Sequence, residues 1–126
     1  MKKINILIFL LFVTVNVFAN SPSKIAKEVA DSMQSSLPTK VDFLSTIKRV
    51  SSRGNILHYE YVLGLTKNEF SEMKDLMKPS VIEELCSSAL LKKILLDNGV
   101  SVQYSYYDLH DKELLDSFII DKSFCR

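Results

Sequence analysis

Apolar residues first recur at helical spacing, with Ile25, Val29, Met33 and Leu37 four apart beside Ala26 and Ala30, and Lys24, Lys27, Glu28, Asp31 and Gln34 opposite them. The pattern predicts an amphipathic helix over 22–36, opened by Pro22 and stopped at Leu37-Pro38. From Val41 the rhythm changes. β-Branched and aromatic residues fill 41–44 and 46–50, and residues 51–55 have turn composition. Residues 56–63 then alternate, with Leu57, Tyr59, Tyr61 and Leu63 on one side and Ile56, His58, Glu60 and Val62 on the other. This stretch predicts a β-hairpin.

Helical punctuation follows. Thr66-Lys67-Asn68-Glu69 has the form of a capping box, and Phe70, Met73 and Met77 fall on one face of the helix it opens. Pro79 is expected to end that helix, and Ser80-Val81-Ile82-Glu83 to open a second one carrying Cys86. Ser88 caps a third segment, 89–97, with Leu90, Leu91, Ile94 and Leu95 as its stripe, and Asn98-Gly99 offers a left-handed end. Period two returns where Val100, Val102, Tyr104 and Tyr106 alternate with Ser101, Gln103, Ser105 and Tyr107; residues 108–112 form a loop and 114–120 a return strand. The expected architecture is α+β: an N-terminal helix and two β-hairpins forming a four-stranded antiparallel sheet, with two or three short helices between the hairpins packed on one face.

The start of the chain bears on where it works. Met1-Lys2-Lys3 precedes an apolar run over 4–18, and Val17-Phe18-Ala19 sets small residues three and one before a cleavage point. A signal peptide over 1–19 and one exported domain over 20–126 are expected, in the periplasm or secreted, with membrane contact only if the leader stays uncleaved. Position 20 is Asn, not Cys, so no lipid anchor is expected. Loss of Lys2 and Lys3 moves the formal charge from +1 to −1, which removes any general electrostatic ground for nucleic-acid binding. With 47% hydrophobic and 25% charged residues and three glycines, the composition excludes a disordered function.

Cys86 and Cys125 are an even pair without C-x-x-C spacing, so in an oxidising compartment they are expected to form a structural disulfide. The two histidines are isolated in sequence, no metal set is present and no cofactor is expected. No hydrolase elbow or phosphate loop occurs. His58 and Glu60 share one strand side, where an acid and base pair would sit, but that side is polar and the expectation is a solvated pair and no enzyme. Four tyrosines, Tyr59, Tyr61, Tyr104 and Tyr106, fit cross-strand core packing, whereas Tyr107 lies on the other face. Tyr107, Phe70, Met73 and Met77 are the candidates for holding a protein or peptide segment.

Residues 53–57, Arg-Gly-Asn-Ile-Leu, then Cys86, then Leu96-Asp97-Asn98-Gly99-Val100-Ser101-Val102-Gln103-Tyr104 and the closing Cys125 resemble the S-beta class of type II secretion pilotins, over about 36–125. The resemblance implies a helix and antiparallel sheet, a cysteine pair at these relative positions, and a non-enzymatic role. That role is to bind the C-terminal segment of a secretin and assist its delivery to the outer membrane. An exported inhibitor or immunity protein acting on a toxin or hydrolase is the alternative expectation, since it would suit a disulfide-tied domain without chemistry of its own.

Overall fold

A computed structural model describes residues 21–125 of the chain; the signal peptide expected over 1–19 lies outside the described residues. Helix α1 (Pro22–Met33) starts where the Ser21 hydroxyl accepts the Lys24 amide and Pro22 fills a position whose N–H would have no helical partner. Its stripe of Ile25, Ala26, Val29, Ala30 and Met33 is buried, and a short 3-10 turn (Gln34–Ser36) completes the expected helical span. Five strands follow: β1 (Thr39–Lys40), β2 (Ser45–Arg53), β3 (Ile56–Leu63), β4 (Ser101–Asp108) and β5 (Leu114–Ile120). Between β3 and β4 lie α2 (Lys67–Ser87) and α3 (Ala89–Ile94).

The sheet is five-stranded and mixed, not the expected four-stranded antiparallel one. Its order is β1-β2-β3-β4-β5; β1/β2, β2/β3 and β4/β5 pair antiparallel, while β3 and β4 run parallel from Ile56↔Ser101 to Leu63↔Asp108. The cause is the connection. The 21 residues of α2 extend roughly 31 Å, enough to return the chain past the eight-residue β3 and start β4 at the same end, as a β-α-β crossover requires. The segment expected as strand at 41–44 is instead a turn, because Asp42 Oδ1 accepts from both the Leu44 and Ser45 amides (2.8 and 2.9 Å).

Pro79 lies inside α2 and does not end it. Proline removes one backbone donor and crowds the preceding turn, at about 3 kcal/mol in an isolated helix. Here Pro79 and Asp75 are exposed, and Phe70, Met77, Val81 and Leu85 hold one continuous face on the core across the proline. Tertiary burial outweighs the local preference. The Thr66/Glu69 capping box forms, with Thr66 N donating to Glu69 Oε1 (2.9 Å) and Glu69 N to Thr66 Oγ1 (3.1 Å). Ser88 caps α3 through the Leu91 amide.

Gly99 leads into β4 with φ of +87°, and a Cβ placed there would sit 3.0 Å from Pro22 Cγ. Two demands meet at one residue: a left-handed backbone and close approach of the start of α1. Gly99→Ala is expected to lower unfolding stability by about 1–2 kcal/mol, read from the urea midpoint. An unchanged midpoint would show that the α1 start is free to shift.

Candidate functional site

All buried helix residues join one cluster with Ile47, Val50, Leu57, Tyr59, Tyr61, Leu63, Val102, Tyr104, Tyr106, Phe118 and Ile120, so the helices cover one sheet face and leave the other without a layer. On the covered face the four core tyrosines form a stacked row. Ring centroids are 5.9 Å apart for Tyr59 and Tyr104, 6.2 Å for Tyr61 and Tyr104, and 5.2 Å for Tyr61 and Tyr106. Burial pushes all four hydroxyls above the ordinary tyrosine range. These rings are core, as their alternation predicts.

The helix-free face carries a hydrogen-bonded row across β3, β4 and β5. His58 Nε2 meets Ser105 Oγ at 2.8 Å, Ser105 Oγ meets Ser117 Oγ at 2.9 Å, and Gln103 Nε2 donates to Ser117 Oγ at 3.1 Å. Glu60 is not solvated as expected: it is buried, and Arg49 Nη1 approaches its Oε2 to 3.6 Å. A serine within reach of an imidazole is a nucleophile only if substrate can touch it and oxyanion donors converge beside it. Ser105 is only 2% exposed, and its hydroxyl is shared between His58 and Ser117. The row pins three strands together.

Burial, opposed by Glu60 and assisted by Arg53 and Arg49, lowers the His58 pKa below 6.5. The unfolded chain therefore takes up the proton first, and the contribution of neutral His58 is lost as pH falls below about 6.5. Acidification from neutrality is expected to narrow any stability advantage of the wild type over His58→Gln. Thermal midpoints at a series of pH values check this, and parallel curves for the two proteins would contradict it.

The four partner candidates are not brought together. Phe70 and Met77 are 2% and 3% exposed and close the core against the sheet, and Met73 is half-buried against the same cluster. Amphipathic spacing places such residues on one face without saying whether that face looks inward. Tyr107 is half-buried on the helix-free face, with the Lys48 ammonium 5.3 Å from its ring centroid. Leu90, expected in the apolar stripe of the third helical segment, instead stands open at 62% exposure, as does Leu76 of α2 at 59%, and a further open apolar group lies at residues the helical spacing did not single out. Phe43, Leu109 and Leu114 are 78%, 51% and 53% exposed.

These three gather at one end of the sheet. Leu44 O accepts from Gly64 N (2.8 Å), Leu63 O from Leu109 N (3.0 Å), and Leu114 is the register partner of Tyr107. Lys67 at the start of α2 pairs with Glu113 at 2.9 Å, fixing the β4–β5 loop beside that end. In the same loop Asp108 Oδ1 accepts from the His110 and Asp111 amides, so His110 sits in turn geometry. The sequence signal for this rim is large apolar residues placed inside turns, as at Phe43 and Leu109, or at the first position of a strand, as at Leu114. Cys86 and Cys125 form a disulfide at the far end of α2, with Cα atoms 5.4 Å apart.

The described residues form a two-layer α+β domain with a mixed sheet and one disulfide, and its fold is pilotin-like. The pilotin EpsS of the Vibrio vulnificus type 2 secretion system superposes with a TM-score of 0.72 at 16% identity, covering 83% of this chain and 92% of that one. The type II secretion system pilotin AspS of Vibrio cholerae gives 0.67 at 17% identity, covering 82% and 92%. A protein of Pseudomonas aeruginosa assigned as secreted gives 0.74 at 17% identity, covering 83% and 93%. No protein-family model and no curated protein matches the sequence. Among the described residues, no helix is long and apolar enough to cross a membrane.

Proposed function

We propose that this protein is an exported, non-enzymatic binding and assembly factor that holds a segment of a secretion-system component, in the manner of a pilotin. The observation that carries this reading is the fold shared with EpsS and AspS over more than four-fifths of the chain. Two features of the molecule support it. The only serine–imidazole pairing described is closed to substrate, and large apolar side chains stand open at one end of the sheet, where a soluble protein gains nothing from exposing them. The partner implied by the resemblance is the C-terminal segment of a secretin, held in the periplasm. Tyr107, beside Leu114, is the one sequence candidate whose position suits contact with it.

Deletion of the gene in its own host tests the reading. Secretin multimers are expected to disappear from the outer-membrane fraction and to return on complementation. Unchanged multimers, with undiminished export of type II substrates, would contradict the reading.

A further inference from the structure

The two edges of the sheet are not equivalent. On one side β1 pairs with β2 at Thr46 and Ile47, and Gln34 Nε2 donates to the Val50 carbonyl (2.8 Å), so that edge is partly closed by the chain itself. On the other side β5 is the last strand of the sheet and no described strand pairs with its outer edge. Its solvent-facing apolar residues, Leu114 and Ile119, are 53% and 40% exposed and lie on the helix-free face with Ser117. Asp116, in register with Tyr106, falls on the opposite face because the β4/β5 register shifts between Tyr106 and Tyr107, and its Oδ1 accepts the Ser117 amide at 2.9 Å.

Charge differs between the edges as well. Residues 108–121 carry five carboxylates and one lysine, whereas residues 39–53 carry four cations and one carboxylate. Glu113 is already paired with Lys67, and Asp108 serves the turn. Asp111 lies in the β4–β5 loop and Asp121 accepts the Ser123 amide beyond the strand, so Asp116 is the one carboxylate within β5 itself. Two β5 strands brought together would set acid against acid, which disfavours a second copy as the occupant.

We propose that the outer edge of β5 receives an extended segment of a partner protein as a sixth strand, one whose residues alternate between apolar and basic. Resting on the protein-binding reading above, the assignment follows from strand periodicity. Apolar side chains of the segment lie over Leu114 and Ile119, and its basic side chains fall on the face of Asp116. Asp116 sets the selectivity. Its carboxylate occupies the Ser117 amide until a lysine or arginine of the incoming strand takes the carboxylate, which frees the amide for the new ladder. A strand without that cation meets a blocked edge, the usual protection against indiscriminate pairing.

The test uses the exported protein with its disulfide intact, isotope-labelled for amide NMR, and three synthetic peptides of about nine residues. One alternates Val and Lys, one alternates Val and Glu, and one is the Val/Lys peptide with alternate amides N-methylated. The Val/Lys peptide is expected to shift the amides of 114–120 and to bind at least about tenfold more tightly than either of the others. Asp116→Asn keeps an acceptor for Ser117 but removes the charge; it is expected to bring the Val/Lys and Val/Glu affinities within about twofold of each other while the N-methylated peptide stays weak. Equal binding of the N-methylated peptide, shifts centred on the β1–β2 edge or on Phe43, no binding at millimolar peptide, or peptide-free self-association through β5 would each overturn the assignment. A secretin segment that binds while the β5 amides stay unmoved also overturns it and leaves the protein-binding reading standing. Loss of that reading is detected separately, by the gene deletion.

Discussion

Tyr61→Ala is expected to be the most damaging single substitution on the sheet, lowering unfolding stability by about 3–5 kcal/mol. The ring is 1% exposed and stacks against Tyr59, Tyr104 and Tyr106, so truncation removes its own burial and leaves three neighbours facing a void. Chains of this size have net stabilities of about 5–15 kcal/mol, so the variant should be close to unfolding at 37 °C. Two comparisons separate packing from polarity. Tyr106→Phe removes a buried hydroxyl with no hydrogen-bond partner among the described residues and is expected to cost less than about 0.5 kcal/mol. Tyr107→Ala, on the helix-free face, should cost about 1 kcal/mol or less. Urea unfolding of the three variants checks the order; a mild effect for Tyr61→Ala would remove the tyrosine row from the centre of the core.

Loss of the disulfide is the second large effect. Cys86 and Cys125 are 39 positions apart, and their bond ties the C-terminal residues to α2. Closing a loop of that length restricts the unfolded chain by about 2–4 kcal/mol, and a domain of this size shifts its melting point by about 4–8 °C for each kcal/mol. The paired substitution Cys86→Ser with Cys125→Ser is therefore expected to melt about 10–25 °C lower than the oxidised wild type. Among the described residues the other ties are few, one of them the Lys122 ammonium 3.7 Å from Asp97 Oδ1. Beyond β5 the residues form a short 3-10 turn (Lys122–Phe124), held by Asp121 accepting the Ser123 amide and by the Lys78 ammonium 5.1 Å from the Phe124 ring centroid. Calorimetry of the oxidised, reduced and substituted proteins measures the shift. Identical melting of all three would show that the bond closes a contact already held by packing.

Local chemistry was legible where a residue type admits one geometry. The Thr66/Glu69 box, the Ser88 cap, the left-handed Gly99 and the alternation of β3 and β4 all stand where the sequence places them. Strand direction was not legible, because period two is the same in parallel and antiparallel pairs; only the length of the helical connection distinguishes them. Pro79 misled for a related reason. Its local penalty is real, but Val81 and Leu85 continue the buried stripe of Phe70 and Met77, and that continuity is visible only against the sheet. The same face explains the site candidates. Phe70 and Met77 have the spacing of a groove and the burial of a core, whereas Phe43 and Leu109 sit in turns, Leu114 sits at the first position of β5, and all three are open. Glu60 follows the alternation onto the helix-free face, yet its neighbours bury it even there.

The function proposed for this pilotin-like fold is to hold a protein segment. It is tested most directly by calorimetric titration of the disulfide-intact protein with the C-terminal segment of its host's secretin. Saturable binding at one segment per protein is the predicted result, unaffected by His58→Ala. No heat of binding, together with a catalytic turnover that His58→Ala abolishes, is the result that would contradict it.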